Sequence, residues 1–342
     1  MKILFYSRLF YPHIGGVEKH VMEVSGVLVE KGHKVTVVTE KYQNGLKKHE
    51  IINGIHVYRI SVGKDDWFKK FRIWNEVWKL RKLIGTVDII HCHDVFFWYL
   101  PFRFLYPHKR VYITFHGYET VYPPSEKAKL VRKISELLSR GNICVGDYIK
   151  KWYGTKPTFV SYGGANQSKI LDLKVKNSGG KIKIAFVGRL DADTGFIFYK
   201  QVLQLLKDKN SNFLFEIYGD GPLKKEAEKV GEVHGFVAEV EQEIAKADIV
   251  FVSSYLTILE SLALKKPVFA TYSNPLKEDY LRMTPFAKFI IIEKDPAKLA
   301  EKVHYYLRHS GKEQEIVEKA YKWAKGQTWA KVSDMYLRLW IR

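Results

Sequence analysis

The amino-acid sequence predicts an α/β protein made of two doubly wound, parallel-sheet domains. Three observations carry this. Ile249-Val250-Phe251-Val252 runs through the polar turn Ser253-Ser254-Tyr255 into an apolar helix, a Lys265-Lys266-Pro267 break and a second apolar run, Val268-Phe269-Ala270-Thr271; this is a strand–turn–helix–strand unit of the parallel kind. The same alternation recurs in two series, separated by a Gly-rich, lysine-bearing stretch. A chain of 342 residues also accommodates two domains of ordinary size.

The totals narrow the class further. A chain 46% hydrophobic and 27% charged can bury a core, and no window of 18 apolar residues spans a membrane. The chain starts at once on a strand, Ile3-Leu4-Phe5-Tyr6, and no signal peptide is expected; a cytoplasmic location, with a peripheral position at the inner face of the membrane, is the expectation. Cys92 and Cys144 lie in strand-like runs without metal-ligand spacing and read as buried thiols. The net charge of +19 is uneven: residues 1–170 hold 28 basic and 14 acidic side chains, the remainder 28 and 23. A basic first half suits an anionic partner such as nucleic acid, an acidic lipid surface or a phosphorylated substrate.

In chain order, the first strand leads into Pro12-His13-Ile14-Gly15-Gly16-Val17-Glu18 and a helix through Glu30, closed by Lys31-Gly32-His33 before the strand Val35–Val38. Glycines between a strand and a helix bare backbone N–H groups at the positive helix end, which suits a phosphate. A plain tight turn explains Gly15-Gly16 equally well, and no G-x-G-x-x-G is present. After the strand Ile55–Ile60, a basic helix is expected over Asp66–Lys82, with Trp67, Phe71, Trp74 and Trp78 on one face and Lys69, Lys70, Arg72, Lys79 and Lys82 around the rest. That aromatic face either packs on the sheet or lies in a membrane interface, with Trp67, Lys70, Trp74 and Trp78 as contacts.

Val87–Asp94 reads as a strand ending in polar residues, and Val111–Gly117 as a further strand. His91, His93 and Asp94 could look like metal ligands, but His91 and His93 alternate along the strand and no second His/Cys cluster lies nearby, so no metal is expected there. His116 stands at the carboxyl end of its strand, where open α/β sheets bind ligands. A strand follows at Asn142–Val145, and 166–180 reads as the linker. The second series starts with the run Ile182–Leu190, continues with Phe213–Leu223, and has a strand at Val233–Val237, a helix near Ala238–Lys246, and the unit described first. Glu260 is the one carboxylate on that unit's apolar helix. It either caps a neighbouring loop or accepts hydrogen bonds from two vicinal hydroxyls of a ligand, since an unpartnered buried carboxylate is costly. A helix from Thr328 to Trp340 closes the chain.

Taken in order, these motifs resemble the family 4 retaining glycosyltransferases (glycosyl transferases group 1). The residues that carry the resemblance are Pro12–Glu18, Asp88–Asp94, Thr114-Phe115-His116-Gly117, Phe186-Val187-Gly188-Arg189-Leu190, Gly219-Asp220-Gly221-Pro222-Leu223, His234-Gly235-Phe236-Val237, Leu259–Val268 and Thr328–Val332. The resemblance implies a GT-B fold, with two Rossmann-like domains facing across a cleft: 1–165 on the acceptor side, 181–326 binding the nucleotide sugar, and 327–342 returning to the first domain. It implies transfer of a hexosyl-type sugar, with retention, from a UDP-, GDP- or ADP-sugar to a glycan or lipid-linked acceptor, with no cofactor and no obligatory metal.

By the same resemblance, Gly15 and Gly16 approach the donor diphosphate, Gly188 and Arg189 contact it, and backbone amides of Leu256, Thr257 and Ile258 add a helix N-terminus. Gly219 and Asp220 line the donor site, Gly235 and Phe236 hold the base, Glu260 the ribose, and His116 sits beside the donor sugar. His116, Arg189 and Glu260 are the catalytic candidates. Two departures stand out. Thr194 occupies the place of a second diphosphate cation, and Val252 that of a first acidic residue eight positions before Glu260, in a turn about four residues short. Loss of one cation weakens leaving-group stabilisation by about 1–3 kcal/mol; Ser254, Tyr255 or a lysine of the basic first domain are the expected substitutes. The competing readings are a nucleotide-sugar epimerase on the same fold, and a non-catalytic binding or scaffold protein with an incomplete donor site. Nucleic-acid binding has charge in its favour but no recognition motif.

Overall fold

A computed structural model describes residues 1–117, 121–166, 170, 180–209 and 213–341. The chain divides into two compact units, Met1–Ser161 with Trp329–Arg342, and Tyr162–Thr328. The linker expected at 166–180 falls almost wholly outside the described residues.

The first unit holds eight strands, β1 (Lys2–Ser7), β2 (Lys34–Glu40), β3 (His49–Ile52), β4 (Ile55–Ile60), β5 (Ile89–His93), β6 (Arg110–Phe115), β7 (Asn142–Val145) and β8 (Phe159–Ser161). They lie in the order β3-β4-β2-β1-β5-β6-β7-β8. Every pairing is parallel except β3 with β4. That pair is a two-residue hairpin turning on Asn53 and Gly54, both at positive φ, as such a turn requires. β1 is covered on both faces, so Ile3-Leu4-Phe5-Tyr6 reads as an unbroken apolar run rather than an alternating one. The chain leaves β1 for β2 on one side and later adds β5 on the other, making the carboxyl ends of β1 and β5 the switch point where ligands of such sheets bind.

The terminal helix Trp329–Ile341 belongs to this unit and buries Trp329, Val332, Tyr336, Leu339 and Trp340. Its Tyr336 meets His20 of the helix Gly16–Glu30, the two being 2.9 Å apart through the hydroxyl and Nε2.

The second unit holds six parallel strands: β9 (Ile182–Val187), β10 (Phe213–Tyr218), β11 (Glu232–Gly235), β12 (Ile249–Phe251), β13 (Val268–Ala270) and β14 (Ile291–Ile292). Their order is β11-β10-β9-β12-β13-β14, with the switch point between β9 and β12. Its core gathers Ile184, Phe186, Ile217, Phe251 and Phe269 from the sheet with Phe196, Tyr199 and Leu203 from the helix Phe196–Lys209.

The structure corrects the basic helix. It runs over Lys69–Lys79, and a separate helix, Arg81–Thr86, follows. The buried face is Ile73 and Val77, so the aromatic stripe is not the packing face. Trp67, Phe71 and Trp78 are exposed, Trp67 by 73%, with the Lys70 ammonium 3.8 Å from its ring centroid. Trp74 alone is tied down, donating its indole N–H to the Phe97 carbonyl at 2.7 Å. One helical turn of β-branched side chains therefore outcompeted four aromatics for the core.

Candidate active site

In the first unit the polar groups at the sheet's carboxyl edge are histidines. Gly15 caps the helix Gly16–Glu30 with extended backbone; a Cβ there would strike the Glu18 carboxylate, whereas one on Gly16 would meet nothing within 4 Å. His93 ends β5, and its Nδ1 lies 2.9 Å from Nε2 of His116, which follows β6. Asp94, at φ 60°, accepts the His116 backbone N–H at 3.0 Å and so fixes where that residue leaves the strand. The His20 ring meets that of His116 edge-on at 4.7 Å.

A chain of hydrogen bonds runs behind them. Trp340 donates its indole N–H to His91 Nδ1 at 3.1 Å. Indole only donates, so a neutral His91 carries its proton on Nε2 and donates it to Thr114 Oγ1, 2.7 Å away. Thr114 and the Tyr336 hydroxyl are 2.8 Å apart, and Tyr336 reaches His20. Burial lowers the affinity of all four imidazoles for protons, holding His20 at a pKa of about 3 and His91, His93 and His116 well below the ordinary histidine range; neighbouring imidazoles add to it. His116 is therefore a neutral hydrogen-bonding group and not a cation. His91 is engaged in this network and His93 in its contact with His116, and burial likewise pushes the Cys92 and Cys144 thiols up, Cys144 to about 12.

In the second unit the loop after β9 carries Gly188 and Arg189. It rests on the loop after β10: Gly188 donates to the Tyr218 carbonyl, Leu190 to the Asp220 carbonyl, and Leu223 to the Leu190 carbonyl, at 2.9–3.1 Å. Gly219 and Gly221 are small because of this contact, since a Cβ on them would lie 1.8 Å from the Gly188 carbonyl oxygen and 2.5 Å from that of Leu190. Asp220 turns its carboxylate to the Gly221 N–H at 2.8 Å. Gly235 adopts φ 72°, and Phe236 beyond it is exposed.

Arg189 donates to Asp193 Oδ2 at 2.7 Å and remains open to solvent on one side. Thr194 Oγ1 lies 2.8 Å from the carbonyls of both Arg189 and Asp191, locking the turn. The helix Tyr255–Ala263 begins at Ser254, which makes no side-chain cap and reaches Thr257 Oγ1 instead. Tyr255 donates its backbone N–H to the Tyr280 hydroxyl at 3.2 Å and its own hydroxyl to the Tyr280 carbonyl at 2.6 Å. Ser254 and Tyr255, expected as substitutes for a missing cation, are thus occupied locally. Leu256, Thr257 and Ile258 form the helix's first turns, and Glu260 on the same helix is 2% exposed. Among the described residues Glu216, Glu232 and His234 lie close enough together to hold a metal ion, but Glu216 also faces Lys183 Nζ at 3.3 Å, and the three read as an ion-pair cluster at the sheet edge.

Sequence reasoning missed two participants, His20 and Tyr336. No motif marks them, since each enters by tertiary contact with a segment remote in sequence.

Two protein-family descriptions match the chain: Glycosyltransferase Family 4 over residues 14–157, and Glycosyl transferases group 1 over residues 168–323. Together they span most of the sequence, and with the two parallel-sheet units they place the chain among the glycosyltransferases of GT-B fold. Sucrose-phosphate synthase from Thermosynechococcus elongatus is similar in structure, with a TM-score of 0.78 and 14% identity over 99% of this chain and 98% of that one. Anabaena HepE in complex with UDP-glucose has a TM-score of 0.72 and 14% identity, covering 99% and 98%. In sequence, a human phosphatidylinositol N-acetylglucosaminyltransferase component is 43% identical over 60 residues, 18% of this chain and 12% of that protein. The first curated relatives are matched over no more than a fifth of their own length.

Proposed function

We propose that this protein transfers a sugar from a nucleotide-diphosphate-sugar donor, a UDP-sugar, to a hydroxyl of a phospholipid such as phosphatidylinositol, with retention at C1. The observation that carries the reading is the Arg189 loop, held over the switch point of the second sheet by glycines that admit no side chain. A guanidinium fork and the first turn of Tyr255–Ala263 suit a diphosphate. HepE's complex with UDP-glucose supports the choice of base, and the relatives named as phosphatidylinositol N-acetylglucosaminyltransferases support the acceptor and N-acetylglucosamine.

In this reading the C1–oxygen bond to the β-phosphate breaks and its electron pair stays on the phosphate oxygen. The acceptor hydroxyl bonds to C1 from the same face and its proton passes to the departing diphosphate. Arg189 stabilises that developing charge, the largest contribution expected in such a reaction. Glu260 holds the ribose, Gly235 and Phe236 the base, Gly16 the diphosphate through its N–H, and neutral His116 a sugar hydroxyl. The exposed Trp67, Phe71 and Trp78 with Lys70 contact an anionic membrane surface, where aromatic rings and ammonium groups are both favourable. Among the described residues no helix is long and apolar enough to cross a membrane.

The test is incubation with labelled UDP-N-acetylglucosamine and phosphatidylinositol vesicles. A labelled lipid with α configuration at C1 supports the reading. Nucleotide binding without transfer favours the scaffold alternative, and turnover of the donor without acceptor favours the epimerase.

A further inference from the structure

Three loops of the second unit meet at the carboxyl edge of its sheet, after β9, β12 and β13. The Tyr199 hydroxyl lies 2.6 Å from Ser253 Oγ and accepts the Thr271 N–H at 3.0 Å, while Ser253 donates to the Thr271 carbonyl at 3.0 Å. A Cβ on Gly195 would already stand 3.3 Å from the Thr271 methyl group. From this junction Asn274 caps the helix Pro275–Arg282, accepting the Lys277 N–H at 3.0 Å, so that Lys277 projects from its first turn.

Lys277 is electrostatically coupled to the Arg189–Asp193 pair. Its ammonium is pushed down to a pKa of about 8 by burial, with Asp193 opposing the shift and Arg189 adding to it. It also lies 5.0 Å from the centroid of Tyr280, whose hydroxyl accepts the first N–H of Tyr255–Ala263. One tyrosine thus bridges the ammonium and a helix N-terminus. Asp193 is nine-tenths buried, and among the described residues its Oδ1 has no hydrogen-bond partner. The group contains two cations, one carboxylate and a positive helix end: Asp193 is nearly buried, Lys277 half-buried and Arg189 half-exposed, so the positive charge faces a partly solvated edge. A cation so placed is stabilised by an anion. Thr194, spent on the carbonyls of its own turn, supplies no charge.

We propose that Lys277 is the second cation of the nucleoside-diphosphate site, binding the β-phosphate together with Arg189. This rests on the donor reading above and names the residue that completes it. The terminal phosphate of UDP is dianionic above about pH 6. Below about pH 8 Lys277 is charged and UDP affinity is full; as pH rises through 8 the ammonium loses its proton and affinity falls.

The experiment titrates UDP, GDP, ADP and the matching monophosphates into the intact protein from pH 6.5 to 9.5, with Lys277→Met, Lys277→Arg and the double variant Thr194→Lys/Lys277→Met. The expected result is a roughly ten- to hundredfold loss of UDP affinity in Lys277→Met at pH 7, with UMP affinity little changed. The fall above pH 8 disappears in Lys277→Arg, and Thr194→Lys restores UDP affinity to the Met variant. If wild type discriminates UDP from UMP and Lys277→Met keeps both the discrimination and the pH dependence, Lys277 is an internal ion-pair residue and the inference is wrong. If wild type binds no nucleoside diphosphate at all, the donor reading fails and takes the inference with it.

Discussion

Gly219→Ala tests how the Arg189 loop is held. The added Cβ would lie 1.8 Å from the Gly188 carbonyl oxygen, and backbone atoms cannot swing aside as a side chain can. To reach even 3.0 Å the two loops must part by about 1.2 Å, carrying Arg189 with them. Overpacking of this kind costs about 1–3 kcal/mol, and a displacement near 1 Å in a binding group lowers catalysis by about a hundredfold. Urea unfolding measures the first effect, and UDP titration together with the sugar-transfer rate the second. Gly16→Ala is the control: nothing stands within 4 Å of its Cβ, so stability should hold or rise by up to about 1 kcal/mol. A Gly219→Ala protein with wild-type stability and wild-type UDP affinity would refute the reasoning, because the contact would then be soft.

The remaining predictions concern other parts of the molecule. Tyr336→Phe removes the hydroxyl shared by His20 and Thr114 and should destabilise by about 1–3 kcal/mol in urea unfolding; a change under about 0.5 kcal/mol would show that the network is not closed. Glu260→Gln should narrow the discrimination between UDP and its 2′-deoxy analogue by about tenfold, and an unaltered ratio removes Glu260 from the ribose. Trp67→Glu/Trp78→Glu should abolish flotation with anionic vesicles at low salt without changing the Tm; these two are chosen because Trp74 is hydrogen-bonded and its loss would confound the result.

Much of the fold is legible in the sequence, because a parallel sheet writes its buried strands as short apolar runs, as β1 and β12 do. The antiparallel β3 is not legible, since His49–Ile52 is a half-exposed edge with no such run. The aromatic stripe misleads for a physical reason: periodicity shows which side chains share a face, not which face turns inward, and Ile73 and Val77 make an equally good inner face. At the site, the glycine motifs are visible, but their meaning differs. Gly219 and Gly221 stand where two backbones touch, a fact about distance that residue type alone leaves open. Thr194 is visible as a departure. Lys277 is not, because nothing along the chain connects it to Arg189 until the sheet brings the loops after β9 and β13 to one edge.

Whether the second unit holds a nucleoside diphosphate on Arg189 is decided by calorimetric titration of UDP into wild type and Arg189→Met at pH 7. Saturable binding to wild type and at least about a tenfold weaker affinity in the variant are expected, with UMP affected much less. Equal UDP affinity in the two proteins would contradict binding on Arg189.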